Sequence, residues 1–186
     1  CSLLVKHKKK ECDVLTFLEN YSDTIFDVNH IDNRMRTPLH NCAVKGDIGV
    51  LKGLLSNRVT NPNILDKDQC TPLCLAIREG NFEVAKILIQ NENVDVNLGG
   101  GVFGSPLHLA VVRLEIWLIE ALIKRKADVN KTDCEGKTPL HFVMNLFNKI
   151  PQKCAFIAEL LVTHGANVNQ MDNDNWTALH TAVRKS

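Results

Sequence analysis

Apolar positions along this chain come in short bursts at helical spacing, separated by polar, turn-forming stretches. Residues 71–90 show the pattern most clearly. Leu73, Ala76 and Ile77 stand at i, i+3 and i+4 on one helical face. Gly80, within REGN at 78–81, breaks that helix, and Val84, Ile87 and Leu88 form the apolar side of a second one. Thr71-Pro72 just ahead of the first burst is a start signal. A threonine hydroxyl can cap orphan amides, and proline at the first turn has no N–H to leave unpaired. Asn97 to Ser105 and its equivalents read as turn-rich connectors. Each unit is therefore turn, helix, turn, helix. A helix pair this small cannot bury its own apolar face, so the units must stack.

The start signal recurs. Thr37, Thr71, Ser105, Thr138 and Thr177 open RTPLHN, CTPLCL, GSPLHL, KTPLHF and WTALHT-like segments, at separations of 34, 34, 33 and 39 residues. Asn29, Asn63, Asn97, Asn130 and Asn169 each lie eight residues earlier, and Asp32, Asp66, Gly100, Asp133 and Asp172 follow those asparagines by three. A period near 33 carrying T-P-L-H-x-A resembles the ankyrin-repeat family. TPLCLAIREGNFEVAKILIQ and HGANVNQMDNDNWTALHTAV match its pattern most closely, and the resemblance covers nearly the whole chain. It implies an all-α solenoid of stacked helix-turn-helix units with protruding β-turn fingers. Residues 1–186 read as one array: full units at 30–63, 64–97, 98–130 and 131–169, with partial units at 1–29 and 170–186. DVLTFLEN at 13–20 matches a second helix, and FDVN at 26–29 a closing turn. With partial units at both ends and no initiator methionine, the sequence reads as a piece of a longer chain. Leu39, Leu73, Leu107, Leu140 and Leu179 are expected to form one continuous buried row.

Several positions depart from the pattern. Cys74 replaces the motif histidine, which in the family belongs to a hydrogen-bond network joining neighbouring turns and helix starts, so stacking is expected to be weaker there. Ala178 replaces the motif proline. The family's glycine at the turn tip survives only as Gly136, with Met35, Gln69, Phe103 and Asn175 at the other tips. LGGGVFG at 98–104 also lacks the aspartate, which predicts a distorted or flexible finger. Leu114-Glu115 stands where other units have Gly46-Asp47 or Gly80-Asn81, so that inter-helix turn needs another solution. Trp117 falls at a usually exposed position, either covering a neighbouring unit or forming a second contact patch. Thr138 to Asn169 is five residues longer than Thr71 to Asn97. The extra length falls in NLFNKIPQKCAF, where Pro151 argues against a continuous helix.

Composition narrows the chemistry. The 186 residues are 45% hydrophobic and 23% charged, which is globular, and no apolar run approaches the length of a membrane helix. Seven scattered cysteines with no C-x-x-C pair predict neither zinc nor a disulfide framework and fit a reducing, cytoplasmic or nuclear compartment. Cys42 reads as a small buried thiol; Cys70 and Cys134, in turns, are the candidates for a reactive one. His40, His108, His141 and His180 recur with the period, as scaffold residues do, and none is set apart by an adjacent nucleophile. GGGVFG lacks the lysine and hydroxyl ending of a phosphate loop. KHKKK at 6–10 reads as a solvated basic turn. No enzyme activity and no cofactor are expected.

The resemblance implies a protein-binding scaffold or adaptor whose concave face is made from turn tips and first-helix ends. On those positions stand Arg34, Arg36, Lys45, Lys67, Arg78, Arg113, Lys137, Arg184 and Lys185, against Asp68, Glu79, Glu135 and Asp174. That is nine basic against four acidic residues in a chain of net charge +1. Met35, Phe103 and Trp176 add apolar groups. The expected partner is an acidic protein or peptide segment with apolar anchors, lying across the first three full units. Nucleic acid is the weaker expectation, because aromatic stacking positions are few. The alternatives are a substrate-recruiting array within a ubiquitin ligase, kinase or palmitoyltransferase, or the cytoplasmic domain of a channel.

Overall fold

The computed structural model describes residues 27–184. The readings made for DVLTFLEN, KHKKK, Cys1, Cys12 and Lys185 lie outside them. Among the described residues the α-helices form four pairs and one further helix: α1 (Pro38–Lys45) and α2 (Ile48–Ser56), α3 (Pro72–Glu79) and α4 (Phe82–Gln90), α5 (Pro106–Arg113) and α6 (Ile116–Lys124), α7 (Pro139–Leu146) and α8 (Pro151–Thr163), then α9 (Ala178–Arg184). The first helices α1, α3, α5, α7 and α9 stack in sequence, and α2, α4 and α6 stack behind them. Hairpin-like fingers precede each first helix.

The stacking row is nearly as the spacing predicts. Leu39, Leu73, Leu107 and Leu140 are buried, together with Ala43, Ile77, Leu88, Leu118 and Leu122. Leu179 breaks the row, at 69% exposed. Its position in the motif is the same, but burial needs a neighbour on each side. Among the described residues α9 packs chiefly on α7.

The two sequence markers turn out to be inter-unit stitches. Asn29 donates from Nδ2 to the Val59 carbonyl, and its Oδ1 accepts the Asn61 amide. Asn63, Asn97 and Asn130 repeat both bonds one unit further along each time. The histidines make the second stitch. His40 Nδ1 accepts from the Thr37 amide (3.1 Å) and hydroxyl (2.8 Å), which leaves Nε2 to carry the proton and donate to the Cys70 carbonyl at 3.1 Å. His108 reaches Lys137 and His141 reaches Trp176 in the same way, each at 3.0 Å. Cys74, in the histidine's place, has only a long contact from its Sγ to the Leu98 carbonyl, at 3.7 Å. The joint between the α3/α4 unit and the next thus lacks an imidazole bridge.

Burial pushes the His40 and His108 imidazoles below the ordinary histidine range, with their backbone carbonyl partners offsetting only part of the effect. Between the ordinary value of about 6.5 and these lower folded values, the unfolded chain binds more protons than the folded one. The stability supplied by the neutral rings is therefore complete above about pH 6.5 and is lost as pH falls through the folded values. Urea midpoints should fall between about pH 7.5 and about pH 5. In a His40→Gln/His108→Gln variant, which keeps a capping side chain that does not titrate, the fall should be clearly smaller. An equal fall in both proteins would assign it to other groups.

Departures from the pattern find individual solutions. Gly46 and Gly80 end α1 and α3 at φ 74° and 79°; Leu114 ends α5 in the same left-handed conformation at φ 54° with its side chain buried. Trp117 stacks edge-on against Phe82 of the preceding unit, with ring centroids 6.1 Å apart. The extra residues of the fourth unit do not all enter a loop, as the sequence suggests. Pro151 serves as the first residue of α8, which is 13 residues long against nine for α4, and four residues (147–150) rather than two join it to α7.

Candidate functional site

The finger side is built from a repeated local device. In four fingers an aspartate accepts two backbone amides: Asp32 from Arg34 and Arg36, Asp66 from Asp68 and Cys70, Asp133 from Glu135 and Lys137, Asp172 from Asp174 and Trp176. These bonds close the turn and force the tip residue left-handed. Met35, Gln69, Gly136 and Asn175 occupy that tip at φ 57°, 58°, 76° and 61°.

The third finger is different. It has Gly100 where the aspartate would be, and the amides of Gly100 and Gly101 donate to the Gln69 carbonyl of the second finger. Gly101–Phe103 form a short 3-10 helix. Phe103 is therefore not a left-handed tip; Gly99, Gly100, Gly101 and Gly104 take the positive φ angles.

The ten predicted contact residues separate into distinct groups. Arg34, Met35, Lys45 and Lys67 are exposed, and the three cations form no ion pair among the described residues. Lys45 also sits in the last turn of α1, where a cation complements the helix dipole. Arg36 is not free to meet a partner: its Nε lies 3.1 Å from Asp66 Oδ2, with the two side chains only 12% and 1% exposed. Arg78 pairs with Glu79 at 3.3 Å and points Nη1 at Cys70 Sγ. Arg113 turns away from the fingers, its guanidinium 5.7 Å over the Phe82 ring at the start of α4. Lys137 pairs with Glu135, and that hydrogen bond lifts the ammonium above the usual lysine range.

Two grooves bring the remainder together. One, of about 750 Å3, is lined by Lys67, Arg78 and Phe103 with Leu98, Val102 and Cys134. The other, of about 540 Å3, holds Lys137 and Trp176 with Phe142, Asp174 and Arg184. There the Arg184 guanidinium already lies 5.1 Å from the Trp176 ring centre. Val102, Cys134 and Phe142 are not among the partner contacts expected from the sequence, where Cys134 figures only as a candidate reactive thiol. Val102 and Cys134 lie outside the period's marker positions, and Phe142 follows the motif histidine on a helix read as scaffold.

The basic surplus expected on this face shrinks. Asp32, Asp66, Asp133 and Asp172 stand at the finger bases, so among the described residues eight basic positions are matched by eight acidic ones rather than four. The first finger and the end of α1 expose Arg34 and Lys45 near Asp32 and Asp47, while Arg36 is paired with Asp66. Among the thiols, burial pushes Cys42 up to about 11 and Cys74 to about 12, and also raises Cys70. Cys70 is thus a poor candidate for the reactive thiol. Cys134 is exposed.

Comparison with known proteins agrees with this architecture. The family description "Ankyrin repeats (3 copies)" matches residues 2–100, 59–133 and 107–186. Transient receptor potential cation channel subfamily A member 1 of Homo sapiens is 30% identical over 200 residues, covering 96% of this chain and 18% of the channel. The nuclear factor NF-kappa-B p105 subunit of Gallus gallus is 28% identical over 167 residues, or 88% of this chain and 16% of that protein. The chain thus spans less than a fifth of the length of these relatives. The crystal structure of EF0377, an ankyrin repeat protein, superposes with a TM-score of 0.79 at 25% identity, covering 93% of this chain and 86% of that one. With the family pattern matched along almost all of its length and the paired-helix stack to go with it, this chain belongs to the ankyrin-repeat family.

Proposed function

We propose that this array is a non-catalytic module that binds an acidic segment of another protein, with interspersed apolar anchors, along its finger side. Ankyrin repeats are protein–protein interaction modules. The observation that carries the finer reading is the trio of exposed cations Arg34, Lys45 and Lys67, unpaired among the described residues, in the first two full units, next to exposed Met35 and Phe103. A local positive field accelerates encounter with an acidic partner, and neighbouring apolar side chains supply the contacts that slow its release. The Arg36–Asp66 pair joins the two fingers that present Arg34 and Lys67.

The test is a triple reversal, Arg34→Glu/Lys45→Glu/Lys67→Glu, with proteins retained by the immobilised chain quantified across a salt series. Retention should fall steeply with salt for the natural sequence, and the reversed protein should lose most of it at low salt. Retention and salt slope both within about twofold of the natural sequence would sink the electrostatic reading. The likeness to a cation-channel subunit favours a second reading, in which the array is one part of a channel and engages another segment of that assembly.

A further inference from the structure

We propose that the groove beside the third finger is an anchor pocket for one large apolar side chain of the partner, flanked there by acidic residues. This rests on the reading above and names the place where the partner's apolar anchor docks.

The third finger is the only one of the five described fingers built this way. At the positions where the others carry Arg34-Met35, Asp68-Gln69, Glu135-Gly136 and Asp174-Asn175, it presents Val102-Phe103. These side chains are 67% and 48% exposed. Their presentation depends on glycine. A Cβ on Gly100 would lie 1.6 Å from the Gly104 carbonyl oxygen, and one on Gly101 would lie 2.1 Å from that of Asp68. Four left-handed glycines in six residues fold the segment back onto the second finger, where it hydrogen-bonds to Gln69. Two large apolar side chains are thus held in solvent by a backbone that other residue types cannot adopt. Local rules broken in this way concentrate at functional sites.

The groove supplies both halves of a recognition. Leu98 and Phe103 offer apolar surface, and Cys134 closes the far side with its Sγ directed at the Val102 carbonyl. Lys67 and Arg78 stand on the rim. The lining holds three cations, Lys67, Arg78 and Lys131, against two carboxylates, Asp68 and Asp133, the latter already accepting two amides of its own finger on one oxygen. An aromatic or leucine side chain between acidic neighbours fits this arrangement; a basic flank would meet the lysine and arginine.

The probe is a phage-displayed library of random twelve-residue peptides, panned against the full 186-residue chain. Selected peptides are synthesised, and their affinities measured by fluorescence polarisation for the natural chain, Val102→Ser/Phe103→Ser and Lys67→Glu. Val102 and Phe103 are exposed, so the double variant should keep its circular dichroism and melting temperature. Expected peptides carry one Trp, Phe or Leu with Asp or Glu within two residues, and lose about tenfold or more in affinity for the double variant. If acidic peptides weaken on Lys67→Glu but bind the double variant unchanged, the anchor pocket is wrong and the acidic-partner reading survives. If the selected peptides are not acidic and respond to neither change, both fail. If nothing enriches above the double-variant control, the anchor pocket is overturned. The same holds if sedimentation shows the natural chain self-associating through Val102 and Phe103, since the occupant is then a second copy.

Discussion

Leu107→Ala should lower the free energy of unfolding by about 2–5 kcal/mol, the range for deleting most of a fully buried leucine and leaving part of the space unfilled. Leu107 is completely buried on α5, which packs on α3 on one side and α7 on the other. Stability in a stacked array is a sum over units and the interfaces between neighbours. The substitution weakens two interfaces at once, so hydrogen-exchange protection should drop in α3 and α7 as well as α5. Leu179 offers an internal control at the same motif position. At 69% exposed, its replacement by alanine should change stability by no more than about 0.5 kcal/mol. A Leu107→Ala loss as small as that of Leu179→Ala would show that the inner row is not what holds the stack.

Arg36→Ala should cost about 3 kcal/mol, far more than a surface arginine. Asp66 is 1% exposed, and its carboxylate takes the Arg36 guanidinium on one oxygen and the amides of Asp68 and Cys70 on the other. Removing the arginine leaves a buried negative charge with two amides and no counter-ion. Arg36→Lys should recover only part of the loss, because a point charge on a flexible stem does not reproduce the Nε–H contact. Arg34→Ala, two residues away and exposed, should stay within about 0.5 kcal/mol. Denaturant midpoints of the three variants decide the matter. Equal, small effects would make the pair an incidental contact and return Arg36 to the set available for a partner.

Arg36 also shows where sequence reasoning reaches its limit. Positions that recur carry their meaning with them. The threonine, histidine and asparagine markers repeat because each makes the same kind of bond in the units that carry it, so the period alone yields the helix pairs and most of the buried row. An ion pair between residues 30 apart occurs once, and nothing in the spacing distinguishes Arg36 from Arg34. The charge count failed for the opposite reason. Asp32, Asp66, Asp133 and Asp172 recur as markers of the register, and the period alone does not show that their charge also stands on that face. Leu179 carries the right motif without the neighbour that burial requires. The third finger was legible as an exception at Gly100, but its form depends on four glycine dihedral angles and a carbonyl on the adjacent finger. Local sequence specifies neither.

The stitches described for the histidines and asparagines all run forward, from each unit to the one after it, and one of them is missing at Cys74. Pulled from its two ends, the array would behave as a chain of springs of unequal stiffness. The seam after α3 and α4 replaces the imidazole bridge with other bonds: Asn97 to Lys126 and Asp128, the Gly100 and Gly101 amides to the Gln69 carbonyl, and the Arg125 guanidinium to the Asn91 and Val94 carbonyls. That seam lies directly under the glycine-built third finger. Bending at that seam would shift the third finger against the second and so change the width of the groove beside Phe103.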